Sequence, residues 1–330
     1  MRKLICVRGI WLFVLALVAT PLQAQTETIR IEALEAPVEI LIDNWGISHI
    51  YAKNESDLFF AQGFNAARDR LFQLEMWRRQ ATGTVAEILG RKELQRDIGA
   101  RLHLFRGNLS QELNHYHPRG EAIVGSFVDG INAYIAETER NPELLPMEFE
   151  LLGIQPGRWK PADVISRHQG LLSNVTTEIR YGQAVALLGA KKVKELSWFR
   201  PGDPILELDP AIDGSLLKNE ILDVYYAFRR SIDFTPEDIV ASHRNELPKV
   251  ARAVPSELDL VEQASIGSNN WVVSGARTLS GVPYMVNDPH RVQQAPALRY
   301  WVHLKAPGWN VIGGGEPSLP GVSIGHNEVG

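Results

Sequence analysis

The stretch QASIGSNNWVVSG, residues 263–275, ends a charged, proline-interrupted segment and opens a short apolar run. Two strand-like runs follow, NNWVV (269–273) and PYMVN (283–287), separated by SGARTLSG (274–281). This pattern predicts a β-hairpin. Ser268 and His290 are symmetric about position 279, so a hairpin turning near TLSG sets them opposite each other at its open end. Pro289 cannot donate to a ladder, so the expectation is closeness rather than a set distance. Two readings of Ser268 stay open at this level. One is a turn serine before a strand. The other is a nucleophile exposed by cleavage after Gly267, using its own α-amine as base. The reference pKa of such an amine is about 7.7–8.0, so part of it is unprotonated near neutrality. Gly267 adds no side-chain bulk at the bond to be cut.

Upstream, residues 205–267 are rich in Pro, Gly, Asp and charge, and read as a mobile spacer with short helices. Before it, ESDLFFAQGFNAARDRLFQLEMW carries Phe60, Phe64, Ala67, Leu71 and Leu74 at helical spacing. Asn54 or Ser56 is placed to cap that helix, Gly83 loosens it and Gly90 ends it. Asp69 and Arg70 read as an ion pair on its polar flank. A second helix puts Ile123, Phe127, Ile131 and Ile135 four apart. A third is expected to begin at Asp163, and LSNVTTEIRYGQAVALLGA (172–190) is a polar loop leading into a fourth. Toward the N-terminus, Ile29 and Ile31, then Val38, Ile40 and Ile42, alternate as two half-buried strands, with DNWG (43–46) as a turn and ISHIYA as another strand. LRYWVHL is a strand candidate near the other end, and Gly313–Gly315 read as turn glycines. No Walker lysine follows them.

The 330-residue chain is 45% hydrophobic with formal net charge −5. Residues 1–24 combine basic Arg2, Lys3 and Arg8 with an apolar run from Ile10 to Ala19 and a small-residue end at Ala24. They read as a signal peptide for export to the periplasm or outside. Its removal takes the only cysteine, Cys6, and leaves 31 basic against 39 acidic residues. That balance speaks against nucleic acid as a partner, and no later segment suggests stable membrane insertion. Motifs of zinc hydrolases, paired cysteines and Gly-x-Ser-x-Gly elbows are absent.

Several blocks in order resemble the penicillin acylase family of N-terminal nucleophile hydrolases. They are VEILIDNWGISHIYA, DLFFAQGFNAARDRLFQLEMWRRQATGTVAEILG, GSNNWVVSG, YMVNDPHR and PGVSIGHNE. The resemblance implies an α+β fold, a four-layer αββα sandwich that would be incomplete here. It implies a small (alpha) subunit at 25–204, a spacer at 205–267 and the beginning of a large (beta) subunit at 268–330, both subunits coming from one precursor. Processing would fall between Gly267 and Ser268. Ser268 would be the nucleophile, and His290 would hold the reacting groups in place. Glu178 matches a ligand of a structural calcium ion, with no organic cofactor, and Leu171 and Leu172 match the acyl pocket. The implied reaction is hydrolysis of an N-acylated small molecule: a β-lactam side chain, an acyl-homoserine lactone or an N-acylated peptide. The family's oxyanion asparagine and its supporting arginine have no counterpart before residue 330, so this copy is expected to be incomplete and inactive alone. A non-catalytic product or exported binding module is the alternative.

Overall fold

A computed structural model describes residues 27–169, 175–199, 202–244, 268–291 and 294–330. Met1–Ala33 and Leu34–Gly330 cluster as separate units. In the first, residues 27–33 contain no strand, against the expectation from Ile29 and Ile31. Alternation needs a partner strand to become a ladder. Just downstream, the N–H groups of Glu35 and Ala36 donate to the Asp57 carboxylate at 3.0 and 2.9 Å.

In the second unit, β1 (Glu39–Ile42) and β2 (Ser48–Tyr51) form an antiparallel hairpin. Its turn is closed by Asp43, whose carboxylate accepts from the N–H groups of Trp45 (2.8 Å) and Ile47 (2.9 Å). Val38 and Ile40 are half-buried as expected, but β1 is a sheet edge and Ile42 is exposed.

The helix α1 (Glu55–Thr82) starts where the Asn54 side chain accepts the Asp57 N–H at 2.7 Å. It ends at Gly83, whose left-handed φ of 66° caps it, about two helical turns before the Gly90 stop expected from the sequence. Arg70 leaves helical dihedrals and kinks the helix. The expected Asp69–Arg70 pair is therefore not what these residues do. Arg70 donates to the Ala297 carbonyl at 2.8 Å, while Asp69 accepts from Asn65 at 3.4 Å. Burial raises the Asp69 pKa from its ordinary value, against the opposing charges of Arg68 and Arg70.

Short helices α2 (Ala86–Leu89), α3 (Leu94–Leu102) and α4 (Leu109–Tyr116) lead to α5 (Gly120–Arg140). Then come α6 (Met147–Leu152), α7 (Pro161–Gln169), α8 (Val175–Leu188), α9 (Ala190–Leu196) and α10 (Asp223–Arg229). α7 begins two residues before Asp163, because proline suits the first helical turn. Asp163 instead accepts the Lys160 N–H at 2.9 Å. The segment 222–240, read from composition as mobile, is tied down: Leu222 is buried and the Val240 N–H donates to the Leu151 carbonyl at 2.9 Å.

α1 and α5 pack against each other along the apolar stripes read from their sequences. Phe60, Phe64, Ala67, Leu71 and Leu74 of α1 are buried, as are Ile123, Phe127, Ile131 and Ile135 of α5. Glycines set how close they come. A Cβ on Gly63 would lie 1.9 Å from the Phe127 carbonyl oxygen, and one on Gly130 would lie 1.9 Å from that of Phe60.

The remaining strands are β3 (Ser268–Val273), β4 (Tyr284–Pro289), β5 (Tyr300–Ala306), β6 (Trp309–Gly315) and β7 (Ile324–His326). Among the described residues, five of the seven strands build one sheet in the order β1-β2-β5-β6-β7, with β2 and β5 parallel and the other neighbours antiparallel. Gly313–Gly315 lie inside β6, not in a turn. A Cβ on Gly313 would meet the Ile324 carbonyl oxygen of β7 at 2.2 Å. α1 crosses one face of this sheet. Asn65 donates to the hydroxyls of Ser48 (3.0 Å) and Tyr300, and Phe59 meets Trp309 edge to face at 5.0 Å. The architecture is α+β. Among the described residues it comprises a helical layer on one sheet plus the separate β3–β4 ribbon, rather than four complete layers.

Gly63→Ala and Gly130→Ala are each expected to lower stability by about 2–3 kcal/mol through overpacking, seen as a lower melting temperature. Gly125 on the same helix has open space around it. Gly125→Ala should raise stability by roughly 0.5–1 kcal/mol.

Candidate active site

Ser268 is the first residue of β3, and its ladder partner is Pro289. The register runs from there to Val273 opposite Tyr284. His290 thus falls one position beyond the rung that symmetry about 279 suggests. The connection, residues 274–283, has an even number of residues, so the hairpin's midpoint lies between 278 and 279. A short helical turn at Gly275–Arg277 and the capping Ser274 shape that connection.

His290 is held on the face of the ribbon that carries Asn269 and Asp288. Its Nε2 lies 2.9 Å from the Asp288 carboxylate and 3.3 Å from the Asn269 amide nitrogen. One ring nitrogen can donate to the first or accept from the second, so its protonation decides which contact is a hydrogen bond. Ser268 and Pro289 alternate onto the opposite face. The ribbon brings His290 within one rung of Ser268, and it also brings in two polar neighbours, Asn269 and Asp288, that the sequence reading did not single out. Their signal was the pairing itself: in this register they are direct partners. Trp271, Val272, Tyr284 and Met285 of the ribbon are exposed.

The other expected site residues do not join this pair. Gly267, Leu171 and Leu172 lie outside the described residues, as do residues 1–24. Glu178 sits in the first turn of α8 and is exposed. Among the described residues no three His, Cys, Asp or Glu side chains converge on a point. Calcium wants six to eight oxygens, of which Glu178 offers one carboxylate.

A second polar centre escaped sequence reasoning. Arg167, near the end of α7, stacks over the Trp77 ring at 4.4 Å from its centroid. Its nearest carboxylate is Glu316 at 3.9 Å, too long for a hydrogen bond. Among the described residues, the buried Nε of Arg167, Oε2 of Glu316 and Oγ of Ser318 have no hydrogen-bond partner. Burial pulls the Arg167 pKa down, opposed by the Glu316 charge and reinforced by Arg229. An arginine and a glutamate far apart in sequence look like surface residues until the fold joins them.

An α+β chain with a serine at the head of an exposed strand, and a histidine one rung away, can now be set beside known proteins. The family model described as Penicillin amidase matches residues 37–329, and the chain belongs to that family. It is 31% identical over 304 residues to the penicillin acylase 2 proenzyme of Pseudomonas sp. (strain SE83), covering 91% of this chain and 36% of that one. It is 29% identical over 328 residues to the penicillin G acylase of Escherichia coli, covering 90% and 38%. It is 27% identical over 304 residues to the acyl-homoserine lactone acylase QuiP of Pseudomonas aeruginosa, covering 90% and 33%. The chain spans about a third of the length of these curated relatives.

Glu316→Gln would leave the Arg167 cation without its counter-charge, at an expected cost of about 3 kcal/mol, measured as a shift in the urea midpoint. Ser318→Ala removes a hydroxyl that has no hydrogen-bond partner among the described residues and should be neutral or stabilising.

Proposed function

We propose that this chain is the amino-terminal part of an exported acylase precursor that cuts itself between Gly267 and Ser268 and then hydrolyses linear N-acylated amides. The observation that carries the reading is the position of Ser268 as the first residue of β3, within a family match spanning 37–329. A relative named as a proenzyme supports precursor processing, and the names of the relatives support an acyl amide as substrate.

In the proposed reaction the free α-amine of Ser268 takes the hydroxyl proton as Oγ attacks the substrate carbonyl. The amine passes that proton to the departing nitrogen, leaving an acyl ester on Oγ. Water, deprotonated by the same amine, then cleaves the ester, releasing the carboxylic acid and restoring the serine. His290 is the positioning residue beside the amine, itself oriented by Asp288 and Asn269. Leu171 and Leu172 favour an apolar acyl group. Relatives named for penicillin and for acyl-homoserine lactones bracket the substrate class. Glu178 would supply one oxygen of a calcium site whose other ligands come from elsewhere in the protein, and residues 1–24 direct export to the periplasm or beyond. Small and large chains from the one precursor are each other's partners.

Intact mass and terminal sequencing of the full-length precursor should find a chain beginning at Ser268, and Ser268→Ala should stay uncut. An uncut wild-type protein that still hydrolyses amides would overturn the mechanism; one that neither cuts nor hydrolyses would favour a non-catalytic role. The base must be unprotonated to act. Activity should therefore fall about tenfold per pH unit below an apparent pKa near that of a free α-amine, about 7.7–8.0. His290→Asn should lower kcat by at least about tenfold while changing KM little.

A further inference from the structure

Residues 222–240 lie inside the segment that composition assigns to a disposable spacer, yet they are fastened to the helical body at several independent points. The centre of the attachment is Arg96 of α3, whose side chain is fully buried. Its guanidinium donates to Glu93 Oε2 at 2.5 Å, and to the carbonyls of Phe228 (3.2 Å), Arg230 (2.6 Å) and Ser231 (2.6 Å). Those carbonyls are at the C-terminal end of α10, where a helix leaves acceptors without partners. A positive group there also meets the negative end of the helix dipole.

Around this bond the two helices touch backbone to backbone. A Cβ on Gly99 of α3 would lie 2.5 Å from the Val224 carbonyl oxygen and 2.8 Å from the Phe228 Cβ. His103 stacks on Phe228, with centroids 5.4 Å apart. Further along, Phe234 packs beside Phe72 of α1, Lys92 pairs with Asp238 at 2.7 Å, and the Val240 N–H reaches Leu151. Detaching the strap would strand a buried guanidinium, which is costly, and a protease needs local detachment before it can cut.

We infer that the small chain of the mature protein runs past Val240, so that the hydrolytic cut upstream of Ser268, adding one water across a peptide bond, falls C-terminal to that residue. The inference rests on the proposed cleavage at Ser268. It makes 222–240 a permanent strap across α3, α1 and α6, and moves the spacer's start well beyond 205. The strap also carries Arg229, whose charge acts on Arg167. Its retention would keep that influence in the mature protein.

Mass spectrometry of the mature protein should give a small chain whose last residue lies beyond Val240. A small chain ending at or before Val240 overturns the inference. The second measurement is limited trypsin digestion of wild type and Gly99→Ala. The added Cβ pushes the strap away while alanine improves the helix propensity of α3, so α3 itself should not unfold. Cleavage after Arg229 and Arg230 should be at least about tenfold faster in Gly99→Ala than in wild type. Equal rates, or wild-type cleavage there as fast as after Lys218, overturn the strap. If no chain begins at Ser268, it is the cleavage reading that fails, and trypsin on the uncut protein decides the strap by the same comparison.

Discussion

The parallel ladder between β2 and β5 is the constraint on which the rest of the structure depends. It sets Ser48–Tyr51 beside Val302–Lys305, so strands that precede and follow Ser268 share one sheet. Parallel neighbours cannot be joined by a tight turn. Here the connection is the whole helical block together with the β3–β4 ribbon. α1 reinforces the seam from above, since Asn65 donates both to Ser48 of β2 and to Tyr300 of β5. Below, the rings of His49 and His303 meet with Nδ1 atoms 3.0 Å apart. Burial pushes the Tyr300 phenol well above its ordinary pKa, so it stays neutral between the two elements and serves as a hydrogen-bonding post rather than a charge.

How much of this was legible beforehand follows from the range over which each interaction acts. The stripes of α1 and α5 were visible because helical spacing is a local property, and the residues named from it are the ones buried. The hairpin holding Ser268 was visible for the same reason, displaced by one rung because a loop's parity cannot be read from composition. The sheet order was not legible. Nothing local in SHIY or YWVHLKA says that they pair with each other across the whole helical block. Nor does local pattern distinguish GGG in a turn from GGG in a strand crowded by its neighbour.

Buried charge was the other blind spot. Arg96, Arg167 and Glu316 have the composition of surface residues, and their roles come from distant carbonyls and rings. Of the candidate site, the register sets His290 one position past the Ser268 rung. Asn269 and Asp288 emerged only from the register, while Glu178 remains apart from any cluster of acidic groups among the described residues. Local pattern thus located the strand that Ser268 heads, and long-range pairing supplied what surrounds it.

The mixed ancestry of the central sheet has a kinetic side. While the backbone is continuous, β2 and β5 are tethered, and each experiences the other at the effective concentration that a linker imposes. Were the backbone broken between them, assembly of the same ladder would become an encounter between two separate molecules, slower with every dilution. A sheet completed first and cut afterwards would keep its geometry without keeping its route of formation. The folded protein would then persist by the height of its unfolding barrier rather than by ready refolding.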